Sequence, residues 1–580
     1  MSVTEPSLAR GVVPRRGRSP AALLRRFEPT MLIWIAAVLV LVFLVASPVV
    51  RLLVSSFQST DTGRFTLGNY AIAYGHARDW FALGNSLLYA IAVTVLSAIL
   101  AVPIAWGVSR TDMPGKGFIR VMILGAFITP PYLGAIAWIL LAGPNAGWLN
   151  KIWMWVTGSD SGLVNVYSFS GLVAVTALYS FPYIFVFASD ALDRVSSEME
   201  EAATILGASG LRTTFRITLP LVMPAILGGG IVVFLDTVAL FGTPALIALP
   251  ARIKVMTLEL WQFFEFPVRA EAAAAYSVPL ILVTVALFAV QRMVLGRKGY
   301  VALTGKGGVK QQAPLGLFRW VMFGYALLVI ALSVLLPFAA LGQAAFSRAW
   351  GRGFGWANLT FGNFYALLAD ENARRTILHS FTYSAATACL AVALALVVAY
   401  IVSRRLVRGG GVLTALCMAP LVIPGIVLAI GFYAAWAPPP LALYGTAAIL
   451  VFGFTARFLP IAYVNCVAGL RSLNPEMEDA VRILGGGRLR AMASVVAPLL
   501  KKSLVGSWLL VFIPATRELS TAIFLVGANT RVISVMMLDL SENGSFETLA
   551  ALGFFLLGAT ILIVMIGYRI VGRDFMLRRS

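Results

Sequence analysis

The sequence predicts an all-α polytopic membrane protein with about twelve transmembrane helices, arranged as two parallel six-helix repeats. Three observations carry that expectation. Hydrophobic residues make up 59% of the chain and charged residues 12%, against about 25% charged in soluble domains. Apolar runs of roughly 20 residues, the length that crosses about 30 Å of hydrocarbon as a helix, recur from end to end. Finally, a polar segment, EMEEAATILGASGLRTTFRITLP at Glu198–Pro220, returns as EMEDAVRILGGGRLRAMASVVAP at Glu476–Pro498 with ten identical residues.

Residues 1–30 form a basic tail containing Pro and Gly. The apolar run after it is too long for the core of a cleaved leader and has no convincing cleavage site, so a retained anchor is expected. Spans are expected near 31–54, 84–108, 118–142, 171–189, 221–247 and 275–295, then near 318–342, 378–402, 411–435, 443–468, 503–527 and 549–570. This divides the chain into a first half over 31–295, a linker over 296–318, a second half over 319–571 and a tail over 572–580. Most of the 45 Lys and Arg residues fall in alternate connecting segments. The positive-inside rule then places both termini, the linker and both polar segments in the cytoplasm. The same placement, in short loops beside a lipid bilayer, accounts for the formal charge of +20 without invoking nucleic acid.

The repeat extends beyond the polar segments. TLGNYAIAYG from Thr66 matches TFGNFYALLA from Thr360, and the same offset pairs Ser109-Arg110 with Ser403-Arg404. A longer loop around 143–170 in the first half changes the offset before the polar segments. Six spans per half leave both halves in the same orientation, so a path between parallel repeats is expected.

Each polar segment reads as a short amphipathic helix, a glycine turn and a second helix. Ser197 and Glu200 have capping-box spacing; in the second copy Asn474 can cap and Pro475 suits the first helical position. Glu198, Glu200 and Glu201, then Glu476, Glu478 and Asp479, put acids in the first turns, where the helix dipole favours them. Met199, Ala202 and Leu206 share one face, as do Met477, Ala480 and Leu484. Gly207 and Gly485 break the helices, and Pro220 and Pro498 mark entry to the next spans. A helix that merely lies on lipid would carry basic residues beside its apolar face. These begin acidic, so docking into a protein groove fits better.

The segment resembles the EAA signature of permease subunits of binding-protein-dependent ABC importers: Glu-Ala-Ala, three residues, Gly, nine residues, Ile, one residue, Leu-Pro. Glu201, Ala202, Ala203, Gly207, Ile217, Leu219 and Pro220 match throughout. The second copy departs, with Asp479, Ala480 and Val481 for Glu-Ala-Ala and Val495 and Ala497 for Ile and Leu, while Gly485 and Pro498 remain. The whole chain resembles two fused permease halves. It is similar to the ferric-iron type in LFGTPALIALP from Leu240, TGKGG from Thr304 and RELSTAIFL from Arg517, and permeases for thiamine, phosphonates and polyamines resemble it too.

The resemblance implies the MetI-like permease fold in a bacterial inner membrane, with an ABC ATPase dimer on the cytoplasmic side and a substrate-binding protein on the periplasmic side. It implies ferric iron as cargo, with a small organic solute as the alternative. Glu200, Glu201, Ala202, Ala203, Gly207, Glu478, Asp479, Ala480 and Gly485 become the residues expected to couple to the ATPase. Two roles stand for the acids: pairing with a basic residue of the ATPase groove, or stabilising their own helix start. No catalysis and no cofactor are expected of this chain, and ATP with Mg belongs on the partner. A Walker A loop needs Gly-x4-Gly-Lys-Ser/Thr, and the nearest text, GYVALTGKGG, has Gly after its Lys.

Charges inside a bilayer are costly and point to function. Asp236 lies mid-span in VVFLDTVALFGTPAL, and Arg517 and Glu518 lie in the corresponding span of the other half; Arg457 also falls within a span. Two readings stand: the charges line the translocation path as a gate, or they pair to hold spans together. Gly242-Thr243-Pro244 and Pro514 can break their helices where backbone lines a cavity. Pro130-Pro131 and Pro420 to Pro424 interrupt the third and ninth spans, where kinks that serve packing are expected. His76 and His379 read as ordinary residues near the outer face, and Cys389, Cys417 and Cys466 as packing residues; none of them belongs to a metal-ligand spacing. The rival class is a twelve-span transporter driven by an ion gradient. It would need buried ionisable relays, of which the chain has few, and it leaves the paired loops unexplained.

Overall fold

The computed structural model describes residues 30–60, 62–195, 203, 205–208, 210–297, 313–353, 355–407 and 409–571. Among them no strand forms, and nine helices are long and apolar enough to cross a membrane; three bent pairs raise the number of spans to twelve. The protein is an all-α polytopic membrane protein.

The longest helices are the second span of each half, Ala77–Arg110 and Glu371–Ser403. They begin at matched positions with different caps. Asp79 Oδ2 accepts from the His76 N–H at 3.2 Å, whereas the Asp370 carboxylate accepts from Asn372 and Ala373 at 3.1 and 3.2 Å. Both are ways of satisfying the free N–H groups of a helix start.

The third spans are broken, not kinked. Lys116–Ile128 meets Pro131–Ala142 at 98°, and Gly410–Val422 meets Gly425–Trp436 at 113°. The matched prolines at the breaks are Pro130 and Pro424, both extended. Proline cannot donate to the previous turn and pushes its predecessor out of the helical region; Thr129 and Ile423 accordingly have ψ 125° and 123°. This corrects the expectation of packing kinks. Pro420 lies inside its helix without ending it.

The fifth spans also differ from expectation. The first ends at Ala239 and the second at Thr516, short of 247 and 527. Leu240 turns extended just ahead of Gly242-Thr243-Pro244, and short re-entrant helices follow at Gly242–Ile247 and Met256–Gln262, then at Ala522–Leu525 and Ile533–Glu542. The carbonyls freed at these ends are met by hydroxyls: Thr257 donates to Leu240 O at 3.1 Å and Ser534 to Glu518 O at 2.8 Å. Where the first half runs unbroken over Thr214–Ala239, the second bends by 76° between Arg488–Leu499 and Lys501–Thr516.

The first span of each half crosses to the other. Ser47–Ser55 packs on Gly425–Trp436 so closely that a Cβ on Gly431 would lie 2.8 Å from Pro48 O, and Phe43 stacks on Trp436 at 4.4 Å. Phe318–Ala345 packs on Pro131–Ala142 and Ala77–Arg110, with Tyr325 donating to Ile99 O at 2.9 Å.

Candidate functional site

The two polar loops lie at one end of the bundle, beside the C-terminal ends of Ala77–Arg110 and Glu371–Ser403. In the second loop Asn474 Oδ1 accepts from the Glu476 N–H at 3.1 Å and opens the helix Glu476–Ile483. It closes on Gly485 at φ +83°, with Gly486 N–H bonded to Val481 O at 2.9 Å. The first loop closes identically, on Gly207 at φ +80° with Ala208 N–H bonded to Ala203 O at 2.9 Å. Left-handed backbone at a helix C-terminus is where glycine costs least, so both glycines have the turn role expected of them.

The orientation of these loops is inverted relative to a helix that packs on its own protein. Ile205, Leu206, Ile483 and Leu484, two matched apolar pairs, are each about 85–88% exposed. Met477, Asp479 and Ala480 are also exposed, and Asp479 pairs loosely with Arg482 at 3.4 Å. The side turned inward carries Glu478 and, in the first loop, Ala203. Glu478 is buried, with Oε1 accepting from Arg404 Nε at 3.0 Å and Oε2 from the Tyr400 hydroxyl at 2.8 Å. It therefore grips its own chain, a role outside the two envisaged for a first-turn acid. Glu200, Glu201 and Ala202 lie outside the described residues.

Arg110, matched to Arg404, is buried at the corresponding place and donates to Leu192 O and Val195 O at 2.6 and 2.5 Å. Those carbonyls end the helix Phe169–Arg194, which leads into the first loop. A cation at a helix C-terminus is favoured by the dipole and by free carbonyls.

Deeper in the bundle, Asp236, Arg457, Arg517 and Glu518 gather between the halves. All four keep some accessible surface. No ion pair within 4.0 Å joins Asp236, Arg517 and Glu518 among the described residues, so the pairing reading does not describe them. The arginines instead reach the broken third spans. Arg517 crosses to the first half and donates to Ile128 O and, at 3.2 Å, to Phe127 O; Arg457 donates to Ile423 O at 3.0 Å. Each guanidinium thus satisfies carbonyls freed where a third span breaks. Glu518 accepts from the Thr521 N–H and hydroxyl, both at 3.0 Å. Rings from the two halves also meet: Phe264 lies 4.9 Å from Phe524 and 5.1 Å from Tyr433, and Phe241 lies 6.3 Å from Phe524.

Known proteins share this plan. The family described as binding-protein-dependent transport system inner membrane component matches residues 80–300. The ferric transport system permease protein FbpB of Actinobacillus pleuropneumoniae is 25% identical over 93% of this chain and 78% of its own length. The putative ferric transport system permease protein FbpB 1 of Haemophilus influenzae is 25% identical over 86% of this chain and 78% of its own length. The molybdate/tungstate transport system permease protein WtpB of Pyrococcus furiosus is 30% identical over 37% of this chain and 78% of its own length. The chain belongs to the binding-protein-dependent ABC permease family. It is a multi-pass inner-membrane transport component.

In this permease several positioning residues escape a reading by motif. Arg457 is visible as a charge within a span but carries no motif. His379, read as ordinary, has Nδ1 3.3 Å from Arg531 O. Ser86 and Ser380, unremarkable by type, accept from the Met256 and Ile533 N–H groups at 2.8 and 2.6 Å. The signal that finds them is the repeat: Ser86 and Ser380 are separated by the same offset as Thr66 and Thr360.

Proposed function

We propose that this permease imports ferric iron, delivered by a periplasmic binding protein and driven by an ABC ATPase dimer that grips the two polar loops from the cytoplasm. The observation that carries the coupling is the matched pair of exposed apolar knobs, Ile205-Leu206 and Ile483-Leu484, each beside a glycine cap, with Glu478 fixing the inward side of the second loop to the bundle. An amphipathic helix with its apolar face outward is suited to a protein groove. The exposed Asp479, held only by a loose pair with Arg482, can exchange it for a basic residue of that groove. ATP-driven closure of the two ATPases would draw the loops together, and the path between the halves would change its access by rigid-body motion. Asp236, Arg457, Arg517 and Glu518 lie on that path.

Ferric iron is favoured because the likeness to the ferric permeases runs through both halves. A second reading, an oxyanion cargo, draws on the two guanidinium groups at the centre of the path and on the shorter likeness to the molybdate/tungstate permease. Proteoliposomes containing the permease, its ATPase and its binding protein decide between them. ATP-dependent uptake of labelled ferric iron is expected, with molybdate and sulfate excluded. Uptake driven by a proton or sodium gradient without ATPase would refute the importer scheme.

A further inference from the structure

We infer that the second helix of each half is a transmission rod, tying its polar loop to the re-entrant segment at the opposite end, with Ser86 and Ser380 as the positioning residues of the far joint. The inference rests on the coupling scheme proposed above. At 34 and 33 residues, the rods are each about 50 Å long at 1.5 Å per residue, enough to span the bundle without a break.

At the loop end the grips are Arg110 on Leu192 and Val195, and Arg404 with Tyr400 on Glu478. At the other end the re-entrant helices Met256–Gln262 and Ile533–Glu542 start after Val255 and Val532, which have no side chain able to cap. The rods supply the cap: Ser86 Oγ takes the first N–H of one helix and Ser380 Oγ the first N–H of the other. A second bond doubles each joint, from Asn85 Nδ2 to Lys254 O at 3.0 Å and between His379 Nδ1 and Arg531 O at 3.3 Å. One residue further on, Thr257 and Ser534 bond the ends of the fifth spans at Leu240 O and Glu518 O. In the second half contacts run unbroken from loop to rod, to re-entrant helix, to the neighbourhood of Arg517; in the first the same chain, ending near Asp236, starts where the span entering the loop ends. Contiguous contacts of this kind can carry coupling. Its arrangement is the same in both halves, although the grips at the loop end differ.

The test uses the full permease with its ATPase and binding protein in proteoliposomes. The double variant Ser86→Ala, Ser380→Ala is expected to retain ATPase association and hydrolysis while the ATP consumed per cargo imported rises about fivefold or more. A ratio equal to that of the unaltered protein, with ATPase bound, overturns the rod. Failure of the unaltered chain to capture the ATPase would overturn the coupling scheme itself. Because the double variant can also lose its fold, a second measurement uses His379→Cys with Arg531→Cys in a Cys389→Ser background. Tethering these thiols with a short bifunctional reagent is expected to leave transport no lower than in the same variant untethered, since rod and re-entrant helix move as one. Transport abolished by the tether would mean that the joint must open, and the rod would be refuted.

Discussion

In the first half the guanidinium of Arg110 holds two carbonyls at the end of the span entering the loop; in the second, the matched Arg404 holds a carboxylate inside the loop's own helix. The fifth spans diverge too. The first runs unbroken to Ala239 and carries Asp236, while the second bends at Leu500 and carries Arg517 and Glu518 beyond its end. The breaks of the third spans, the glycine caps and the serine joints stay matched while the charges are redistributed. A duplicated unit thus keeps the geometry that moves and varies the side chains that bias it. The second half holds its loop by an ion pair and reaches across to the first by a guanidinium.

Breaking that ion pair should have the largest effect. Glu478→Ala leaves the partly exposed Arg404 without its carboxylate, at a cost of up to about 3–5 kcal/mol, the range seen when one partner of a fully buried pair is removed. A marked fall in the melting temperature of the purified permease is expected, with loss of ATPase capture by the second loop. Stability unchanged within a degree would mean that the grip is a solvated contact. Next comes Arg517→Ala, which frees the Phe127 and Ile128 carbonyls and removes a bond between the halves. Charge-assisted hydrogen bonds contribute about 1.5–3 kcal/mol, so a smaller shift is expected, and Arg457→Ala, which acts within one half, should leave the association of the halves less affected. Equal loss of inter-half association from both variants would erase the distinction between them.

Gly207→Ala and Gly485→Ala sharpen the symmetry. Neither added Cβ meets an atom within 4 Å, so the cost is the left-handed backbone alone, about 1–2 kcal/mol. Both variants should weaken co-purification with the ATPase to a similar degree, and a strong inequality would show that one loop dominates. The smallest effect concerns Glu542 on the second re-entrant helix. Burial, then Asp539 and Glu265, hold its carboxyl above the ordinary range. Such an acid binds its proton more tightly folded than unfolded, so stability is lost as pH rises from about 4.5 through the folded pKa. Glu542→Gln should flatten the pH dependence of melting over that range; an unchanged slope would exclude the carboxyl as its source.

Much of this was legible in the chain. Spans and paired loops announce themselves because hydropathy and helix-end chemistry are local. Three features were not. Pro130 and Pro424 break their spans while Pro420 does not, a difference set by where each proline falls in the packed bundle. Glu478 and Asp479 are adjacent first-turn acids, and only the position of the neighbouring rod decides that the former turns inward to Arg404. Ser86 and Ser380 look like any serine in a span until the re-entrant helices that lack their own caps come into contact with them. In each case the deciding partner lies far away along the chain.

The exchange of first spans bears on how the protein is made. Residues 47–55 lodge against 425–436, which emerge from the ribosome hundreds of codons later. Throughout that interval the leading helix sits in lipid without its eventual neighbour, and Gly431, whose bare backbone admits Pro48, becomes the docking notch for a late step of assembly. A polypeptide cut in the linker should accordingly regain function when its two fragments are synthesised together, and neither fragment should mature alone.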